Sequence, residues 1–154
     1  MSNSVESRLE KLGIALPEAA KSVANYVGFV LTGKLLMTSG QLPLHNGEIS
    51  QKGLIGGELD VEAGRAAAER CAINVLAQAK AALGSLDEVR SLVKITVFVA
   101  SAPDFTSQHL VANGASDLFV AAFGDAGIHA RSAVGVAALP FNAPVEIEAV
   151  FEVA

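Results

Sequence analysis

Residues 129–150 read His-Ala-Arg-Ser-Ala-Val-Gly-Val-Ala-Ala-Leu-Pro-Phe-Asn-Ala-Pro-Val-Glu-Ile-Glu-Ala-Val. One arginine heads a strand otherwise built from small apolar residues. A guanidinium holds a carboxylate through two parallel N–H···O bonds, which an ammonium cannot copy. Period-two alternation puts Arg131, Ala133, Gly135 and Ala137 on one face and Ser132, Val134, Val136 and Ala138 on the other. The second set reads as core. The first surrounds the arginine with side chains too small to fill space, as the lining of a cavity does. On the following strand Val145, Ile147, Ala149, Phe151 and Val153 form an apolar face, while Glu146, Glu148 and Glu152 point the other way. The short connection 139–144 predicts that the two strands are neighbours. Arg131 then has two possible uses: a structural ion pair with Glu146 or Glu148, which spacing alone favours, or the capture of a ligand carboxylate.

Other reactive side chains form no recognisable constellation. His45, His109 and His129 lack the spacing of metal ligands, and no Ser-His-Asp arrangement stands out. Ordinary surface or core roles are the default for all three histidines; His129 shares the face of Arg131 if the strand begins early, which would place it in the same cleft. Cys71, the single cysteine, lies in an alanine-rich helical stretch and reads as a small core or interface residue.

The elements that must position these residues follow from periodicity and punctuation. Ser4 caps a short helix over residues 5–12 with Val5, Leu9 and Leu12 along one stripe, and residues 1–20 form an N-terminal arm. Residues 26–31 and 35–39 are two strands joined by a turn at Thr32-Gly33-Lys34, followed by a loop containing Asn46-Gly47. Asp60 caps a long helix over 61–83 that ends at Gly84, with Ala72, Val75, Leu76, Ala79 and Leu83 facing the core. A β-branched strand covers 89–100. Asp104 caps a second long helix to Phe123, weakened in its middle by Gly114. Strands 131–138 and 145–153 complete the order ββαβαββ behind a short helix. This is an α+β chain: a mixed sheet with two long helices on one face and the other face free.

Composition narrows the function. The 154 residues are 51% hydrophobic and 18% charged, and no apolar run reaches a membrane span. The apolar excess and the free sheet face predict an oligomer. A net charge of −5 with scattered Lys and Arg disfavours nucleic acid as a partner. A lone cysteine and a non-basic beginning predict a cytoplasmic location and a single domain over 1–154.

The stretch Ala130-Arg131-Ser132-Ala133-Val134-Gly135-Val136, then Leu139-Pro140 and Val145-Glu146-Ile147-Glu148-Ala149, resembles the C-terminal signature of the Rid (reactive intermediate deaminase, YjgF-like) family. Thr38-Ser39-Gly40-Gln41-Leu42-Pro43, Val93-Lys94-Ile95-Thr96-Val97-Phe98-Val99 and Asp104-Phe105 match upstream in the family's order. The resemblance implies a chorismate-mutase-like fold, a homotrimer, and sites for small carboxylate-bearing substrates between subunits. It also implies hydrolysis of reactive 2-imino and enamino acids, such as 2-aminoacrylate and its imine, to 2-oxo acids and ammonia, with no metal or organic cofactor. By motif, Arg131 would grip the carboxylate and Glu146 would orient or activate water. Tyr26, Ser39, Gly40 and Asn113 would line the cleft, and backbone groups near Gly40 or Ala133 would hold the nitrogen. Alternative readings are a non-catalytic carboxylate-binding regulator and an endoribonuclease. Three departures mark the chain: Ala133 replaces a frequent cysteine, His129 stands where proline is usual, and the N-terminal arm is extra.

Overall fold

The computed structural model describes residues 3–22 and 24–154; Met1, Ser2 and Val23 lie outside the described residues. Helix α1 spans Val5–Lys11, with the Ser7 N–H donating to the Ser4 hydroxyl at 3.1 Å. Strands β1 (Phe29–Thr32) and β2 (Leu35–Thr38) flank the expected turn, and a small hairpin of β3 (Leu44–His45) and β4 (Glu48–Ile49) follows. Helix α2 covers Val61–Leu83, β5 Val89–Ala100, α3 Gln108–Phe123, β6 Ala130–Val136 and β7 Val145–Val153. No helix among the described residues is long and apolar enough to cross a membrane.

The five-stranded sheet runs in the order β1-β2-β7-β5-β6, with only β5 and β6 parallel. The α3 crossover between those two strands is what permits their parallel pairing. Both long helices cover one face, as the α+β reading predicts. Their core includes Ala72, Val75, Leu76 and Ala79 of α2, Ile95 and Val97 of β5, and Ile147 and Phe151 of β7, all fully buried. Each large apolar side chain so buried contributes roughly 1.5–3 kcal/mol. Leu83 is partly buried at the core's edge.

Several expectations are corrected. Strands β6 and β7 are not neighbours, because β5 lies between them. Their linker crosses the end of β5, with Phe141 and Asn142 both at positive φ. The two faces of β6 are also exchanged. In register, Arg131, Ala133 and Gly135 sit beside Ile95, Val97 and Val99 on the helix-covered face, while Ser132 and Val134 sit beside Thr96 and Phe98 on the free face. Val134, read as core, is 42% exposed. Asp104 does not cap α3; the helix starts four residues beyond it, at Gln108 after Ser107. Leu12 is exposed at the end of α1, and Ile14 packs toward the core instead.

Gly114 has a packing role. A Cβ there would meet the Arg65 carbonyl oxygen at 2.2 Å, so α2 and α3 approach at a point where only glycine fits. The helix propensity lost at this position is offset by the close packing it allows. The N-terminal arm is tied to the same layer. Leu9 is buried, Arg8 Nε donates to the Ala122 carbonyl at 2.8 Å, and the Leu86 N–H donates to Glu6 Oε1 at 2.5 Å. Burial raises the Glu6 pKa, but its hydrogen bonds and Lys80 outweigh that and leave it lowered.

Candidate functional site

Arg131 stands at the start of β6, an edge strand, on the face toward α3. Its Nη1 donates to Asn113 Oδ1 at 2.8 Å and to Ser116 Oγ at 3.1 Å, and its Nη2 donates to the His109 carbonyl at 3.4 Å. All three acceptors are neutral and belong to α3. No ion pair joins Arg131 to a carboxylate among the described residues. The expected intrasubunit salt bridge to Glu146 or Glu148 is absent for a geometric reason. Both glutamates point from β7 to the free face of the sheet, opposite to Arg131, with β5 between the strands. The guanidinium is therefore oriented by neutral dipoles, with no carboxylate among the described residues against it.

Glu146 belongs to a second cluster. It is half-buried beside Gly40, where a Cβ would lie 2.2 Å from Glu146 Oε2 and 2.8 Å from its carboxyl carbon. Gly40 therefore lets the carboxylate rest against the backbone at the end of β2. The backbone of the next residue, Gln41, pairs with Ile147 in both directions, holding this segment against β7. Burial pushes the Glu146 carboxyl above its ordinary value, and the like charge of Glu148 adds to the effect. No hydrogen bond or counter-cation reaches Glu146 among the described residues. A carboxylate so placed is a proton acceptor whose ionisation begins later than usual.

Tyr26, Ser39 and Gly40 line one cleft of about 640 Å³ together with Lys52, Gln78 and Phe141. Ser39 is fixed there: its hydroxyl donates to the Val27 carbonyl at 2.6 Å, and its N–H donates to Gly28 at 2.9 Å. Tyr26 is 57% exposed, and its carbonyl accepts from the Ser22 hydroxyl. Asn113 lies in the arginine cluster, and Ala133 sits two residues beyond Arg131 on its face, partly buried against the core. The predicted residues thus form two groups within one subunit: Arg131, Asn113 and Ala133 in one, and Tyr26, Ser39 and Gly40 in the other, with Glu146 adjoining that cleft at Gly40 without lining it. Cys71 is buried under β7 with its thiol donating to the Val145 carbonyl; burial first, then the charge of Glu146, pushes its pKa well up. A thiol kept neutral in this way is not a nucleophile.

Sequence reasoning missed Ser116, Lys52 and Phe141. Ser116 had a readable signal, since it stands three residues after Asn113 and so shares its helix face. Phe141 had none, because its exposure follows from the αL geometry of the linker. His129 adjoins the arginine cluster, with its ring edge-on to Phe119 and Nε2 2.9 Å from the Ser116 hydroxyl.

Residues 6–152 match the family described as "YjgF/chorismate_mutase-like, putative endoribonuclease". Protein TCP17 of Trypanosoma cruzi is 51% identical over 152 residues, covering 98% of this chain and 95% of that protein. The crystal structure of Atu1372 from Agrobacterium tumefaciens, a protein of unknown function, superposes with a TM-score of 0.92 at 52% identity over 97% of this chain and 92% of that one. TdcF of E. coli, crystallised with bound serine, gives a TM-score of 0.66 at 29% identity over 89% and 94% of the two chains. With a match spanning nearly all its residues and the mixed sheet and helix layer described above, the chain belongs to the YjgF/Rid family.

Proposed function

We propose that the protein is a homotrimeric hydrolase that converts reactive 2-imino and enamino acids to 2-oxo acids and ammonia, each site being shared by two subunits. The observation that carries this reading is the uncompensated Arg131 guanidinium, held by three neutral acceptors and turned to the opposite face of the sheet from Glu146 and Glu148 of β7. Such a group is preorganised for a carboxylate. The serine bound to TdcF supports a ligand with an α-carboxylate. The acidic balance of the chain speaks against RNA.

The division of labour follows from the chemistry. A protonated imine carbon is already electrophilic, so a strong nucleophile is not required. Arg131 of one subunit anchors the carboxylate. Glu146 of the next takes a proton from water as it adds to the imine carbon, passes that proton to the amine nitrogen of the carbinolamine, and takes the hydroxyl proton as the C–N bond breaks to give the 2-oxo acid and ammonia. Polar backbone groups at Ser39 and Gly40 border the place where the nitrogen leaves. Assembly is supported by the free sheet face, where Val30, Leu35, Met37 and Val134 are all exposed.

Complementation between inactive subunits tests both claims. Arg131→Ala and Glu146→Gln trimers should each lose turnover of an imine generated from an amino acid by an oxidase. Unfolded together and refolded at equal ratio, they should regain about a quarter of wild-type activity, because one site in four pairs an intact arginine with an intact glutamate. A mixed sample as inactive as its parents overturns the shared site. Wild-type protein that releases no ammonia overturns the activity.

A further inference from the structure

The arginine cluster contains one more titratable side chain, His129, and its hydrogen bonds form a directed chain. His129 Nδ1 lies 2.6 Å from the Gly127 carbonyl oxygen, which can only accept, so Nδ1 carries the proton. In the neutral ring Nε2 is then an acceptor, and it lies 2.9 Å from the Ser116 hydroxyl. The hydroxyl donates its single proton there, which leaves a lone pair facing Arg131 Nη1 at 3.1 Å.

Without that acceptor, a helical serine hydroxyl turns to the carbonyl four residues back, here Ala112. Its lone pairs then swing away from the guanidinium. Phe119, edge-on to the imidazole, fixes the plane of the ring. We propose that His129, acting through Ser116, is a positioning residue that fixes the orientation of the Arg131 guanidinium. It touches no substrate, and its effect on turnover rests on the deaminase reading above. Its effect on the guanidinium does not.

The test therefore reads both. In the trimer, NMR of the Arg131 side chain reports rotation about Cζ–Nη1, and titration with pyruvate reports carboxylate capture. His129→Leu and Ser116→Ala should each speed the rotation and weaken pyruvate binding and raise KM about tenfold, the worth of one hydrogen bond to a charged group. The kcat should change little. His129→Gln, whose amide oxygen can still accept from Ser116, should restore slow rotation and wild-type KM. The His129→Leu/Ser116→Ala double variant should be no worse than either single one, since both cut the same chain. A merely structural histidine would lower thermal stability in the Leu and Gln variants alike and leave rotation and KM unchanged in folded protein, and that result overturns the proposal. If His129→Leu fails to fold, fast rotation in Ser116→Ala supports the chain and slow rotation overturns it. Wild-type trimer that neither binds pyruvate nor hydrolyses imines would sink the deaminase reading, while the rotation data would still judge His129.

Discussion

Gly40→Ala should separate the placement of Glu146 from its presence. A Cβ on residue 40 would stand 2.2 Å from Glu146 Oε2, whereas ordinary contact begins at 3.4 Å. The carboxylate must therefore retreat by about 1.2 Å, and it can, because the clash is with the far end of a flexible side chain. Misplacing a catalytic group by about 1 Å costs on the order of 10²-fold in rate, or about 2.7 kcal/mol of transition-state stabilisation. Residue 40 does not require the left-handed conformation, so the backbone tolerates alanine and the melting temperature should stay close to wild type. The assay is ammonia release from a freshly generated imine, measured beside pyruvate binding. Binding should persist, since Arg131 is untouched, while kcat falls about a hundredfold. Combining Gly40→Ala with Glu146→Gln should add little further loss. A crystal structure of the variant showing the displaced carboxylate, together with wild-type kcat, would remove Glu146 from the chemistry.

Two further outcomes follow from other parts of the molecule. Glu146 is held above the ordinary carboxylate value by burial and by Glu148. In the proposed mechanism its ionised form is the proton acceptor, so kcat should be full above that raised pKa and fall as pH drops through it. Glu148→Gln removes the like charge and should move the acidic limb of the kcat profile to lower pH; a limb that stays in place assigns it to another group. Leu9 of the N-terminal arm is buried against the helix layer, so Leu9→Ala should cost about 2–5 kcal/mol by chemical denaturation. Near-wild-type stability would show that the arm is an appendage.

Local structure was largely legible in the chain. Asp60 and Gly84 delimit α2 as read, and the run of β-branched residues from Val89 places β5 to the residue. The order of strands was not legible. An eight-residue linker between Val136 and Val145 suits neighbouring strands, but it also reaches across one intervening strand, a span of about 9.6 Å. Alternation in β6 separated two faces without saying which meets the helices, because Ala, Val and Gly fit either environment. Only the register with Ile95, Val97 and Val99 decides it. The same ambiguity hid the division of the site: Arg131 and Glu146 are fifteen residues apart in sequence and turned to opposite sides of one sheet. At Asp104, cap chemistry misled, since the helix begins only after Ser107.

The last strand in chain order is the middle strand of the sheet, with β2 on one side and β5 on the other. Until β7 arrives, the β1–β2 ribbon and the β5–β6 pair share no ladder, and both carry half-finished apolar faces under α2 and α3. During synthesis, then, the nascent chain can form helices and local hairpins early but cannot close its core until residues 145–153 have left the exit tunnel. The vulnerable period lasts until that strand emerges, with unpaired ladder edges on β2 and β5 exposed throughout it. Protein quality control would meet this chain as two open half-sheets, which a late-arriving nine-residue strand joins into one.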